Sequence, residues 1–505
     1  MKQRQIEWPV FLISGGSLVL FVIASFISVE WIANFVESTF TWSATYFGAF
    51  WQVFMLLNLI VAAVMMVSKY GNVRLGEPGK PETSTFKWIA MIMTTLLGGG
   101  GVFWAAAEPM YHFLETPPMY GDIAPGQEAT ISPALAQSFL DWGFSGWAIL
   151  GTLGVVVLMY GYSKGLPMKP RTLLYPLFGD SIMKKNSILG IIVDAFSILA
   201  VAAGTIGPIG FLGLQAAYGL ESLFGISNTF LTQVVIIFSL VTIAAISALT
   251  GIHKGIEWLS RFNIILTITL MILILIIGPA GFIFDSFIGT FGLYLGDYFE
   301  LSLYRGDRDW LGYWTIFFWA WFIGFGPAMA LFISRISHGR TVRELFLAVI
   351  IIAPLVTNFW FTVVGGSGIF FELQNPGSVG DALYEGGMPA TMIAIATQLP
   401  FGTWVASAFL FVSIVFVATT TDSMAYSISM TVTGNDTPAR SIRVFWAITM
   451  GAVAAVLLFI GEGSINALQS FIVFTAVPVS LILLPTLWLA PKVVKKMAKS
   501  QGIIK

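Results

Sequence analysis

The chain has 505 residues, 57% of them hydrophobic and 10% charged, with a formal net charge of −1 and no cysteine. Soluble domains carry about 25% charged residues, so the composition excludes an ordinary soluble fold and indicates an all-α polytopic membrane protein. A near-neutral chain offers nothing to a nucleic acid, and a chain without cysteine has no disulfide, thiol catalysis or zinc–thiolate site.

A hydrophobic span needs about 20 residues. In chain order, twelve spans are expected at 8–30, 44–68, 86–114, 134–162, 187–218, 228–250, 257–283, 310–336, 342–370, 402–430, 441–461 and 466–490. The first is too long for the apolar core of a signal peptide and is read as retained. The linkers alternate in charge. Lys69–Lys80, Lys164–Lys185, Arg335–Arg343 and Lys492–Lys505 are basic, whereas Glu30–Glu37, Glu115–Glu128 and Glu372–Glu385 are acidic. The positive-inside rule puts the basic set and both termini in the cytoplasm, which requires an even number of spans. The expected organisation is one transmembrane domain over 1–505: peripheral helices in 8–85, a first repeat in 86–283, a second in 310–490 and a short basic cytoplasmic tail at 491–505. Between the repeats, 284–309 mixes Phe287, Phe291 and Leu295 with Asp285, Asp297 and Glu300, the pattern of an amphipathic helix on the outer surface.

Span 3 runs into Gly98, Gly99, Gly100 and Gly101. Each glycine weakens a helix by about 1 kcal/mol relative to alanine, so a break is expected there. Backbone freed within a membrane must be buried in protein or line a cavity. Span 8 carries Gly324, Gly326 and Pro327, and proline removes a donor and clashes with the carbonyl four residues back. A second break is expected there. Breaks at corresponding places in two halves mark an inverted-repeat carrier, with spans 3–7 and 8–12 as the repeats and the solute site between them.

Trp319, Trp321, Phe322 and Phe325 cluster on span 8, and Trp142 and Trp147 on span 4. Aromatic faces attract cations by ~2 kcal/mol or more when desolvated, and a quaternary ammonium suits such a cage because it has no proton to donate. Aromatics also simply fill membrane cores. Asp141 stands beside Trp142 inside the membrane, where a carboxylate is a functional candidate. It would offset a cationic solute or carry a coupling proton, unless it lies in the outer water layer. Glu108 and His112 share a helix face; with no third metal ligand evident, they read as a cap or a surface salt bridge. Asp194 reads as solvated, and Asp422 belongs with the ion question. Span 10 carries Thr419-Thr420-Thr421, hydroxyls of the kind sodium needs, although threonine in helices commonly bonds back to its own turn. No HExxH or GxSxG motif supports an enzyme.

Phe103-Trp104-Ala105-Ala106-Ala107-Glu108-Pro109, Trp319-Ala320-Trp321 and the loop Arg335-Ile336-Ser337-His338-Gly339-Arg340-Thr341-Val342-Arg343-Glu344 resemble the betaine/choline/carnitine transporter family from about Trp8 to Leu489. The resemblance implies a twelve-helix carrier of the leucine-transporter type, alternating access, a homotrimer in the inner membrane and no organic cofactor. It implies an aromatic box at Trp142, Trp147, Trp321, Phe322 and Phe325, facing the backbone of Gly98, Gly99 and Gly100, with Asp141 alongside. It also implies a sodium site at the hydroxyls of Thr419 and Thr420 and the carbonyls of Thr94, Leu97 and Phe416. Sodium-independent exchangers of the family have arginine where Asn263 stands, so sodium symport is the expectation; exchange, or proton coupling through Asp141, is the alternative. Thr205 is a candidate for a second ion site. Phe322 and Phe325 stand where the betaine carriers have tryptophan, and Leu150 where they usually have tyrosine. The expected solute is therefore of the choline, glycine betaine, carnitine or dimethylsulfoniopropionate class, with the departures favouring a smaller or differently charged relative of glycine betaine. Stress-sensing relatives carry long charged extensions, so uptake without strong intrinsic osmotic activation is expected.

Overall fold

The computed structural model describes residues 6–76, 79, 81–96, 100–250, 253–434 and 438–505, with the side chains of 94–96 and 253–257 left out. Among the described residues the protein is helical and has no strand, only an isolated bridge between Arg74 and Thr341. Eleven of its helices are long and apolar enough to cross a membrane. The expected third span falls on Thr85–Leu96 and Val102–Leu114, with residues 97–99 between them outside the described residues.

Several boundaries move, for physical reasons. Val29–Val67 is one 39-residue helix, although Glu30–Glu37 had the look of a linker. Ser28 caps it by accepting from the Trp31 amide, and Ile32, Val36 and Phe40 form a buried i, i+4 stripe beneath the exposed glutamates. The basic tail is helical too: Thr486–Ser500 buries Leu489, Val493, Val494 and Met497, and Gln501 exchanges hydrogen bonds with the backbone of Arg74. The segment 284–309 is three helices, Ala280–Gly296, Tyr298–Leu303 and Arg308–Tyr313. The first packs on Ile131–Trp142 and buries Tyr294 completely.

The break expected in span 8 is not where the glycine and proline pattern puts it. Thr315–Ile336 runs unbroken through Gly324, Gly326 and Pro327; an interior proline costs a hydrogen bond, and the buried packing on both sides outweighs that loss. The interruption in this span falls instead at Trp314 (φ −118°, ψ −103°). Gly100 and Gly101 are already helical, a π turn leading into Val102–Leu114, whereas Leu97, Gly98 and Gly99 lie outside the described residues. Span 4 holds two breaks that its sequence does not announce: Gly143 ends Ile131–Trp142, and Thr152 separates Phe144–Gly151 from Leu153–Tyr162. At Gly143 a Cβ would collide with the Phe139 carbonyl and the Tyr294 hydroxyl. The Tyr294 oxygen takes up the freed amide of Phe144 at 3.3 Å, so the break is satisfied inside the protein.

At the centre, Ile188–Phe224, Thr315–Ile336 and Asn466–Leu483 pack on one another, with Gly402–Thr433 against the first. Trp8–Ile27, Phe230–Thr250 and His253–Ile277 lie outside, with Leu20, Phe26, Ile265 and Ile276 exposed, a surface suited to lipid.

Candidate functional site

Trp142, Trp321 and Phe322 come together in the buried centre. The Trp142 ring meets Phe322 edge-on at 5.4 Å and Trp321 edge-on at 5.9 Å, and Trp321 and Phe322 are nearly parallel at 6.2 Å. Phe318 and Phe361 complete the ring of contacts around Trp142 at 5.4 and 5.2 Å. These rings touch one another, so a cation lies between their faces only after they part. Gly100 abuts the same cluster: a Cβ there would stand 2.5 Å from the Trp321 ring.

Trp142, Trp147 and Trp321 are each oriented by their N–H, whereas the buried Trp319 N–H has no hydrogen-bond partner. Pro208 lies inside Ile188–Phe224 and supplies no amide to the carbonyl of Gly204, four residues back. Trp321 Nε1 donates to that carbonyl at 3.0 Å. Gly204 also has no side chain, and a Cβ there would overlap the ring of Phe325. One proline–glycine pair therefore seats two of the expected box residues. Trp142 Nε1 donates to Glu108 Oε2 at 2.8 Å. Trp147 stands apart: its Nε1 donates to Thr357 Oγ1 at 3.1 Å, and no ring contact joins it to Trp142 or Trp321 among the described residues. Leu150 is fully buried. Trp360 Nε1 donates to the Gly101 carbonyl at 2.9 Å and so serves the helix that follows the glycine run.

The acidic groups depart furthest from expectation. Glu108, His112 and Asp141 are all completely buried, so neither a surface salt bridge at Glu108 and His112 nor a watery setting for Asp141 holds. The third ligand that the spacing of Glu108 and His112 lacks is Asp141: one ligand atom from each of the three lies within 4.8 Å of the others. Asp194 is also buried, not solvated. Its two oxygens accept from the Arg171 amide (2.8 Å) and Nε (2.7 Å). Arg171 and Lys169 in turn grip Glu7. Asp422 Oδ1 is paired with Arg443 Nη2 at 2.7 Å, which engages that carboxylate in an ion pair within the protein.

Thr419 is buried and donates to the Val415 carbonyl at 2.8 Å, with the Phe416 carbonyl at 3.3 Å; its oxygen lone pairs stay available to a cation. Thr420 is half-buried. Thr94 sits in the last turn of Thr85–Leu96. Thr205 donates to the Val201 carbonyl. Asn263 Nδ2 donates to the Val412 carbonyl at 3.1 Å, tying spans 7 and 10. In the basic loop, Arg340 donates to Thr83 O and Thr85 Oγ1, and Arg343 to Met66 O, Ser68 O and Asn72 Oδ1. These guanidinium groups fasten the loop to backbone and side-chain oxygens of the protein. Outside the spans, Tyr120 donates to Asp297 at 2.9 Å; burial first, then that carboxylate, raises its pKa.

Phe318, Phe361 and Gly204 join the cluster without having been singled out in the sequence, and Glu108 was singled out only as a cap or a surface salt bridge. Phe318 was legible, four residues before Phe322 on one helix face; Gly204 was legible only through Pro208 and the knowledge of what lies opposite.

Apolar helices gathered around interrupted spans and a buried aromatic cluster define a polytopic membrane protein of the kind that carries small solutes. The chain belongs to the betaine/carnitine/choline transporter family, BCCT, whose model matches residues 9–499. It is 50% identical to glycine betaine transporter 2 of Vibrio parahaemolyticus, over the whole of this chain and 93% of that protein. It is 30% identical to an ectoine/hydroxyectoine transporter of Virgibacillus pantothenticus over 96% of each chain. It is 31% identical to the glycine betaine transporter OpuD of Bacillus subtilis, over 94% of this chain and 91% of that one.

Proposed function

We propose that the protein imports a quaternary-ammonium or related zwitterionic solute by sodium symport and alternating access, with glycine betaine first among the candidates. The observation that carries the reading is the cluster of Trp142, Trp321 and Phe322, with Phe325 seated beside Trp321 on Gly204. Cation–π attraction supplies the affinity for a desolvated trimethylammonium or similar cationic end. The names of the relatives put glycine betaine and ectoine in scope, whereas Phe322, Phe325 and Leu150 pull toward a different relative. Because the rings are in contact, the described conformation is a closed one, and solute entry requires the helices Ile131–Trp142 and Thr315–Ile336 to separate. Twelve spans, two inverted repeats over 86–283 and 310–490, cytoplasmic termini and a homotrimer in the inner membrane complete the proposal.

Sodium is placed at Thr419 and Thr420, with carbonyls of Thr94, Leu97 and Phe416. The donor set is all oxygen, which suits a hard cation. Linkage makes each ligand raise the other's affinity by the same factor.

Tryptophan fluorescence of purified protein tests this. Choline, glycine betaine, carnitine, dimethylsulfoniopropionate and ectoine are titrated with and without sodium. A saturable change for one compound, tightened by sodium in the wild type and not in Thr419→Ala, is expected. Saturation indifferent to sodium replaces symport by exchange or proton coupling, and no response to any compound removes the solute class.

A further inference from the structure

We propose that Glu108, His112 and Asp141 form a binding site for a divalent transition-metal ion of the zinc class, distinct from the sodium site and independent of the solute reading. Three features carry it together. The first is closure: all three side chains are fully buried, and Glu108 Oε1 stands 3.9 Å from His112 Nε2. A metal with bonds of about 2.0–2.2 Å draws ligand atoms to within roughly 3–4 Å of one another, so small rotations suffice. The second is the division of labour within each carboxylate. Glu108 Oε2 accepts from Trp142 Nε1 (2.8 Å), and Asp141 Oδ2 accepts from Gln137 Nε2 (3.0 Å), which also donates to Thr315 Oγ1 (2.8 Å). Glu108 Oε1, Asp141 Oδ1 and His112 Nε2 are left buried without a hydrogen-bond partner. One oxygen of each carboxylate is thus held by a neutral donor and the other is free, the arrangement that orients ligating carboxylates. The third is charge. Among the described residues neither carboxylate has an ion pair with lysine or arginine. A divalent cation neutralises both, with imidazole and carboxylate as ligands suited to zinc.

The ligands come from two helices, Val102–Leu114 and Ile131–Trp142, so the ion would fasten one to the other. The His112 ring packs on Trp314 at 4.4 Å and on Trp310 at 5.5 Å. Trp314 is the interruption itself and Trp310 lies one turn before it, so both cover the site. Through Glu108 the ion would also fix the Trp142 indole, and with it one wall of the aromatic cluster.

The test uses full-length purified protein without a histidine tag, stripped with a chelator and titrated with Co2+ and Zn2+. One equivalent per chain is expected, with a Co2+ absorption band. Affinity should fall at least ~10-fold in Glu108→Gln, His112→Gln and Asp141→Asn and stay unchanged in Ile276→Ala, on the exposed apolar surface. X-ray absorption of the zinc-loaded wild type, which needs no variant to fold, should show one imidazole and oxygen ligands. The proposal is overturned by the absence of stoichiometric binding, by binding indifferent to these variants, or by a zinc environment without imidazole. It is overturned equally if no metal binds while solute affinity follows pH in wild type and not in Asp141→Asn, which would make the trio a proton site.

Discussion

Two sets of buried carboxylates in this protein are treated oppositely. Asp194 and Asp422 each meet an arginine at 2.7 Å, and the half-buried Glu7 beside Asp194 meets Arg171 and Lys169. Glu108 and Asp141 are fully buried; among the described residues they meet no lysine or arginine, only indole and amide donors, the His112 imidazole and each other. An arginine partner offsets the cost of taking a charge out of water and locks the geometry through a planar fork. A carboxyl given only neutral donors has no cation to compensate its charge, and is left to be neutralised by a proton or by a ligand that arrives. The first set fastens loops and helix ends; the second lies against Trp142, where a ligand is expected.

The largest effect should come from breaking a paired set. Arg171→Leu strips Asp194 of its hydrogen-bonded guanidinium and leaves Glu7 only Lys169. Removing one partner of a buried pair costs about 3–5 kcal/mol, so the variant should lose most of its folded yield in detergent after mild heating. The double variant Arg171→Leu/Asp194→Leu should recover much of it. If Arg171→Leu alone heats like wild type, the Arg171–Asp194 pair is not what holds that end of the molecule.

Next in size is Gly204→Ala. The added methyl collides with Phe325 and with the Trp321 indole, an overpacking cost of about 1–3 kcal/mol. Solute affinity should fall by ~10-fold or more for a loss of that size, because the same contact seats two box residues. Unchanged affinity would detach Phe325 and Trp321 from the solute. Trp142→Phe keeps a ring and deletes the donor to Glu108, a charge-assisted hydrogen bond of about 1.5–3 kcal/mol. It should weaken solute binding and also the metal affinity of stripped protein; a variant that loses the first and keeps the second would uncouple the cluster from the carboxylates.

What the sequence made legible follows from what each signal measures. Apolar length reports membrane crossing, so the spans and their order were readable from hydropathy; Glu30 and Glu37 still misled because charge on one face does not end a helix whose other face is buried. The box residues Trp142, Trp321 and Phe322 were legible as aromatics on two helices and made specific by the family motifs. Trp147 was not separable from them, because only three-dimensional packing sends its N–H to Thr357. Pro327 predicted a break by local chemistry, and tertiary burial on all sides of Thr315–Ile336 overrode it. Glu108, His112 and Asp141 were each visible, but the coincidence of residues 108, 112 and 141 is a contact between helices, and no spacing within one helix encodes it.

The smallest predicted effect sharpens the opening contrast most. Asp141→Asn in metal-free protein keeps the shape of the side chain and removes a buried charge that no cation compensates. The amide oxygen can still accept from Gln137, and the new N–H2 group can face the free oxygen of Glu108. Melting of the stripped variant should therefore stay within about 1 kcal/mol of wild type or rise, since replacing an unpaired buried charge relieves its desolvation cost. The same change at Asp194 removes a charge that Arg171 needs, and it should cost several-fold more. Equal losses at the two positions would mean that Asp141 has a cationic partner and that the two sets of carboxylates are one kind. A neutral Asp141→Asn beside a damaging Asp194→Asn would mark residue 141 as a carboxylate retained for a ligand at the expense of stability.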